Sequence, residues 1–250
     1  NCWSKYSTAG VSNYWSLSSS IKHTGDAAFT STYYGDSYLY SPLMGLPADR
    51  VELSFWSYND YPGDYGKNYV LVYNADLTEA DTIWSPESVT KSWVETKLYL
   101  DEYAGQQVKL AFLFVGNNAH QWFLDDVKVS VVPAYEVVST STNEAYGTVA
   151  IAGDTNTEGK YYAFDTVTLT ATAADHYHFH HWTTGDDTIS MVNPLSFVPT
   201  KATVLNAVFA IDTFTVALAV NDTTLGTVDG DSVYTYGSTA TLTAEAIDHY

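Results

Sequence analysis

Arg50-Val51-Glu52-Leu53-Ser54-Phe55-Trp56 alternates apolar and polar side chains, so Val51, Leu53 and Phe55 share one face of an extended strand. The same two-residue period runs through residues 67–73 and 122–132, and through 107–114, where Val108, Leu110, Phe112 and Phe114 fall on one side. No stretch sustains a 3.6-residue period. Residues 98–105 offer at most a turn or two, closed by Gly105. Short strands separated by Gly, Asp, Asn and Pro clusters predict an all-β chain of sandwich type.

The chain has 250 residues, enough for two domains and a fragment of a third. Its 10 Lys+Arg against 29 Asp+Glu give a net charge of −19, which repels phosphate backbones and anionic membrane surfaces. Nucleic acid is therefore excluded as a partner. A composition of 46% hydrophobic and 16% charged residues belongs to a folding chain rather than an acidic disordered tail. No run of 18 apolar residues occurs, so no membrane-spanning helix is expected. The single Cys2 forms no internal disulfide and reads as a small packed residue. The chain starts without Met and without a signal-peptide pattern, so an upstream leader or region is expected to have been removed.

A boundary is predicted near Pro133, because six of the seven Trp precede it and Thr, Val and Ala dominate after it. Beyond it the chain repeats. Gly147-Thr148-Val149 matches Gly226-Thr227-Val228, 79 residues on, and Asp175-His176-Tyr177 matches Asp248-His249-Tyr250, 73 residues on. Copy one therefore carries six extra residues between these landmarks. Tandem copies of this length indicate an array of small modules. The expected domains are 1–132, 133–212 as copy one, and 213–250 as a partial copy two.

Residues 1–132 resemble the cleaved-adhesin family of gingipain-type haemagglutinins. The resemblance rests on Asn1-Cys2-Trp3, His23-Thr24-Gly25-Asp26-Ala27-Ala28-Phe29, Tyr40-Ser41-Pro42 with residues 51–56, Trp93-Val94-Glu95, residues 100–105 and 108–112, and Trp122-Phe123-Leu124-Asp125-Asp126-Val127. It implies a jelly-roll sandwich of galactose-binding-like type, with structural calcium and no catalysis of its own. The second part resembles the divergent internalin B-repeat family through Gly226-Thr227-Val228, Tyr234-Thr235-Tyr236-Gly237, Val167-Thr168-Leu169-Thr170-Ala171, Tyr177 to Trp182, and Ala207-Val208-Phe209. Copy one has Phe164-Asp165 where that family has Tyr-Gly. Such repeats imply stalks and interaction modules, so the fold expected overall is a jelly roll plus small tandem β repeats, the last one truncated.

Strict alternation puts Asp125 on the face of Phe123, Val127, Val129 and Val131, which should be buried, and sends Asp126 to the other face. A carboxylate there needs a partner, because an unpaired buried charge costs several kcal/mol or more. Calcium, a hard cation taking oxygen ligands, would supply one. Asp125, Asp126 and Asp26, with carbonyls near His23, Thr24 and Gly25, are the candidate ligands. The alternative is that Asp125 caps a loop through backbone N–H groups. A weaker calcium-loop spacing joins Asp154, Asn156, Glu158 and Asp165, where an ordinary polar hairpin competes. The cluster His176, His178, His180 and His181 reads as solvent-facing positions between core residues, with metal binding as the minor alternative. Residues 58–69 form a Pro- and Gly-broken loop in which Tyr58, Asp60, Tyr61, Asp64 and Tyr65 offer a glycan platform of rings and carboxylates, or rings that pack their own loop. Trp15, Tyr33 and Tyr34 belong either to that surface or to the core.

No Gly-x-Ser-x-Gly, His-Glu-x-x-His, phosphate-loop or dinucleotide pattern occurs, so no enzyme is expected. The expected function is a secreted or surface-exposed bacterial adhesin fragment whose jelly roll binds a host or surface glycan or protein. Its repeats would act as spacers, continuing into further repeats or domains. Two alternatives are the accessory region of a large secreted hydrolase and a purely structural stalk. Residues 213–250 are expected to be poorly ordered or to borrow a strand.

Overall fold

A computed structural model describes residues 3–8, 15–31, 33–60, 66–88, 90–117 and 121–247. The chain divides into two units, Asn1–Val132 and Pro133–Tyr250. Unit one contains β1 (Ser4–Ser7), β2 (Ser16–Ser18), β3 (Ala28–Thr30), β4 (Tyr34–Tyr40), β5 (Met44–Gly45), β6 (Val51–Asn59), β7 (Gly66–Asn74), β8 (Ala80–Trp84), β9 (Val94–Tyr99), β10 (Gln107–Asn117) and β11 (Trp122–Val131). The first sheet runs β1-β4-β10-β7-β8, with β5 against β10, and the second runs β2-β3-β11-β6-β9. Both sheets turn their alternating apolar face inward, giving the jelly-roll sandwich. Leu39, Val72, Leu110 and Phe112 from the first meet Leu53, Phe55, Trp122 and Leu124 from the second in one core. Burying each such side chain stabilises the fold by about 1.5–3 kcal/mol. The only helical turn among the described residues of unit one is Asp101–Tyr103, followed by Gly105 at φ 75°.

The phase of β11 departs from uniform alternation. Trp122 and Leu124 point into the core, and the next residue in that series is Asp126. Instead, pairing slips: Asp125 lies opposite Trp56 and Lys128 opposite Ser54, so Asp126 and Val127 together answer Phe55. Asp126 adopts φ 49° at this bulge, and Val127 and Val129 resume the core face. The expected grouping of Asp125 with Val127 and Val129 is thereby corrected. Asp125 is half-buried on the outer side and Asp126 is exposed, which spares the core an unpaired carboxylate.

Unit two contains β12 (Ala134–Tyr135), β13 (Val137–Ser141), β14 (Gly147–Ala152), β15 (Tyr161–Tyr162), β16 (Val167–Ala173), β17 (Tyr177–Thr184), β18 (Asp187–Ser190), β19 (Leu195–Phe197), β20 (Thr203–Ile211), β21 (Thr213–Thr215), β22 (Gly226–Gly230), β23 (Val233–Thr235) and β24 (Leu242–Ala246). Copy one packs the sheet β13-β20-β17-β18 on the sheet β14-β16-β19, with Val137, Leu169, Trp182, Leu205 and Phe209 between them. The Gly-Thr-Val motif has a steric reason here. A Cβ on Gly147 would lie 2.5 Å from the Phe209 ring and 2.6 Å from the Thr172 carbonyl oxygen.

Copy two reproduces only part of this. Its β21–β23 pair corresponds to β12–β15, and its β22–β24 pair to β14–β16. Residues 216–220 correspond to β13 but form no strand. In copy one β13 lies parallel to β20, whereas among the described residues β21–β24 pair only with one another and not with a strand of copy one. No described residue of 213–247 is buried. Leu169 is 0% exposed, whereas its counterpart Leu242 is 47% exposed. The turn before β16 is nevertheless conserved in shape, with Phe164 at φ 75° where Gly237 has 78°. The repeat offset therefore places Phe164, one residue earlier than the motif reading, at the glycine position.

Leu169→Ala should cost about 3 kcal/mol, as typical for a buried leucine, and Leu242→Ala under about 0.5 kcal/mol. Urea melts of the whole chain followed at the Trp182 indole check both. Phe164→Gly relieves a left-handed side chain that is 68% exposed. It should raise the stability of unit two by about 0.5–1 kcal/mol, the left-handed cost less the added freedom of the unfolded chain.

Candidate functional site

The bulge in β11 brings Asp125 and Asp126 to the same loop, residues 21–26, although neighbours on a regular strand diverge. That loop turns at Gly25, φ 59°, and its start is held by Ile21 N–H donating to Ser18 Oγ at 3.1 Å. Asp125 Oδ2 accepts the backbone N–H groups of His23 at 2.8 Å and Thr24 at 3.1 Å, and Oδ1 accepts its neighbour's N–H at 2.9 Å. Asp126 Oδ2 meets His23 Nδ1 at 2.8 Å, and Oδ1 accepts the Thr24 hydroxyl at 2.5 Å. These donors, His23 first and Thr24 second, hold the Asp126 carboxyl below the ordinary carboxylate range. One residue pair thus clasps a loop more than 100 positions away in sequence.

Measured against a calcium cage, the donor set is turned the wrong way. The His23 and Thr24 amides, rather than their carbonyls, face Asp125, and N–H donors occupy lone pairs that a cation would use. Asp26 enters the loop through its carbonyl, which accepts Lys22 Nζ at 3.3 Å. Among the described residues, no three His, Cys, Asp or Glu side chains gather as a metal set. At the weaker candidate, Asn156 Oδ1 accepts the Glu158 and Lys160 N–H groups at 3.0 Å each, and Glu158 pairs with Lys160 Nζ at 2.6 Å. This is a polar hairpin centred on Asn156. Asp154 and Asp165 flank it.

The histidines do not line one face. His176 stacks on Tyr236 at 3.5 Å, His178 pairs with Asp212 at 2.9 Å, and a bulge at His180 sets its Nδ1 against that of His181.

Around the clasp the outer face of the second sheet is aromatic. His23 stacks on Trp56 with centroids 3.9 Å apart and an interplanar angle of 14°, and Trp93 lies 5.6 Å from His23. Tyr58 lies 5.6 Å from Trp93 and covers Phe123 at 5.8 Å. Of the glycan candidates, Tyr58 is therefore in this patch and Asp60 sits beyond its end, donating its N–H to the Gln121 carbonyl at 3.2 Å. Tyr61, Asp64 and Tyr65, like Cys2 and 248–250, lie outside the described residues. Trp15 belongs to the core, donating its indole N–H to the Ser37 carbonyl at 3.0 Å, while Tyr33 is exposed.

Sequence reasoning passed over Trp56 and Trp93, and also a row of tyrosines on the first sheet, Tyr6, Tyr38, Tyr40 and Tyr73. The signal was present: when Leu53 and Phe55 face inward, Trp56 faces out, and Tyr38 and Tyr40 flank the buried Leu39.

Comparison with known proteins gives a consistent picture for the repeat. Residues 137–213 match the divergent InlB B-repeat domain family. No curated protein matches the chain. Among solved structures, the chain is similar to the K3 cleaved adhesin domain of Lys-gingipain from Porphyromonas gingivalis, with 19% identity over 51% of this chain and 89% of that one, and a TM-score of 0.42. It is similar to TmCBM61, solved in complex with β-1,4-galactotriose, at 14% identity over 52% and 88%, TM-score 0.41. It is also similar to the CBM22-1 xylan-binding domain of Paenibacillus barcinonensis Xyn10C, at 14% over 53% and 86%, TM-score 0.41.

Removing the clasp should destabilise unit one. Asp125→Ala deletes three N–H bonds to a charged acceptor and should cost about 2–3 kcal/mol in denaturant melts. Because the Asp126 carboxyl is depressed in the fold, its stabilisation is complete above its unfolded value of 3.8 and disappears as pH falls through the folded value. The stability gap between wild type and Asp126→Ala should therefore hold above 3.8 and narrow as the pH falls below it.

Proposed function

We propose that residues 1–132 form a non-enzymatic glycan-binding module of a secreted or surface-exposed protein, and that copy one acts as a spacer. The observation that carries this reading is the patch of Tyr58, Trp93 and the His23–Trp56 stack, fixed on a sheet face by the Asp125–Asp126 clasp. Rings with polar tips suit a ligand whose apolar C–H faces alternate with hydroxyls. Trp56 and Tyr58, mounted on β6, also lose little freedom on binding. The use of both clasp carboxylates as acceptors for one loop supports a structural role for this pair over proton transfer. Calcium bound by Asp125, Asp126 and Asp26 is the competing way of closing the loop, and it requires exchanging the N–H contacts for metal–oxygen bonds.

A glycan array probed with the whole chain, in EDTA and in Ca²⁺, tests the reading. Binding should appear in both buffers, and Tyr58→Ala and Trp93→Ala should each weaken it about tenfold. A chain that binds no glycan in either buffer would be a stalk, and unchanged binding by both variants would place the ligand elsewhere.

A further inference from the structure

The outer face of the first sheet carries four tyrosines in unbroken contact that neither the core nor the patch above uses. Tyr6 and Tyr38 are cross-strand partners on β1 and β4, with ring centroids 5.9 Å apart. Tyr38 and Tyr40 stack at 5.6 Å with an interplanar angle of 3°, and Tyr40 meets Tyr73 of β7 edge-on at 5.7 Å. Alternation sets this row away from the core, since Leu39 and Val72 beside it are buried. Tyr6 is 53% exposed, and the other three are half-buried.

We propose that Tyr6, Tyr38, Tyr40 and Tyr73 form a second binding face, for an extended neutral polysaccharide, so that unit one holds glycan chains on both of its sheets. The row draws its rings from β1, β4 and β7 and spans four strands of one sheet, with β10 between β4 and β7, which fits a chain of sugars better than a single terminal residue. Charge complementarity selects the chemistry. The negative ring faces attract polarised C–H groups, while Asp36, on the same face of β4, and Lys109, directly opposite Tyr73, bracket the row with an acceptor and a donor. The net charge of −19 disfavours anionic polymers. Burial, with Tyr73 adding to it, pushes the Tyr38 and Tyr40 hydroxyls upward, so both remain proton donors across the physiological range. Two faces on opposite sheets make one molecule a bridge between polysaccharide chains. The bridging rests on the second-sheet patch also being a glycan site; the tyrosine face stands without it.

Affinity electrophoresis of the whole chain in gels containing hydroxyethyl cellulose, galactomannan or xylan, with polygalacturonate as the anionic control, tests the tyrosine face. Turbidity of the same neutral polymers in solution tests bridging. Wild type should be retarded by at least one neutral polymer, ahead of polygalacturonate, and should raise turbidity. Tyr40→Ser/Tyr73→Ser should weaken retardation about tenfold. Tyr6→Ala, at the exposed end of the row, should weaken it in the same gel, and serves if the double variant does not fold by circular dichroism. Trp93→Ala should keep the retardation that the tyrosine face supplies and lose turbidity. No retardation by any neutral polymer, preference for polygalacturonate, or wild-type retardation of the folded tyrosine variants overturns the tyrosine face. Turbidity unchanged in Trp93→Ala overturns the bridging and the second-sheet patch while leaving the tyrosine face intact.

Discussion

Between Asp125 and Lys128, β11 sets two residues against one of β6, and the aromatic outer surface around His23 follows from that insertion. With Trp122 and Leu124 inside, an unbroken strand would turn Asp126 into this apolar core, where an uncompensated carboxylate costs several kcal/mol or more. The extra residue keeps Val127 and Val129 in the core and delivers both carboxylates to one side. There they hold His23, and His23 in turn covers Trp56. A packing solution inside the sandwich and an aromatic surface outside it are therefore the same feature.

Unit two separates local from non-local pairing within one sequence. Copy two forms the pairs whose strands both lie in 213–247, and residues 216–220, which match β13, form no strand. Its Leu242 is in register yet exposed, because the residues that cover Leu169 in copy one come from β17 and β20. Hydrogen-bonded pairs in this repeat thus form without a core, while burial needs the far end of the module.

The fold class was legible because residues 50–56 and 107–114 alternate without interruption and their inward side chains are large and apolar. The site was legible only in part. Two adjacent aspartates say nothing locally about a bulge, and the link from Asp126 to His23 spans 103 residues, beyond any spacing rule. Asp125 shows how this fails: its role as a loop cap was readable as an alternative, but its face was not. Similarly, Phe164 occupies a left-handed position that its side chain disfavours, so the turn shape came from its setting rather than its chemistry. The tyrosine row was written in the outward phase of β4, yet these aromatics acquire meaning only when β1 is seen beside β4 and β7 across β10.

Amide hydrogen exchange at His23 and Thr24 tests the clasp most directly, measured on the whole chain in EDTA and again with Ca²⁺. Two N–H groups held by Asp125 should exchange slowly in EDTA, unchanged by Ca²⁺, and fast in Asp125→Ala. Fast exchange in EDTA that slows only when Ca²⁺ is added would show that a metal ion, and not these hydrogen bonds, orders the loop.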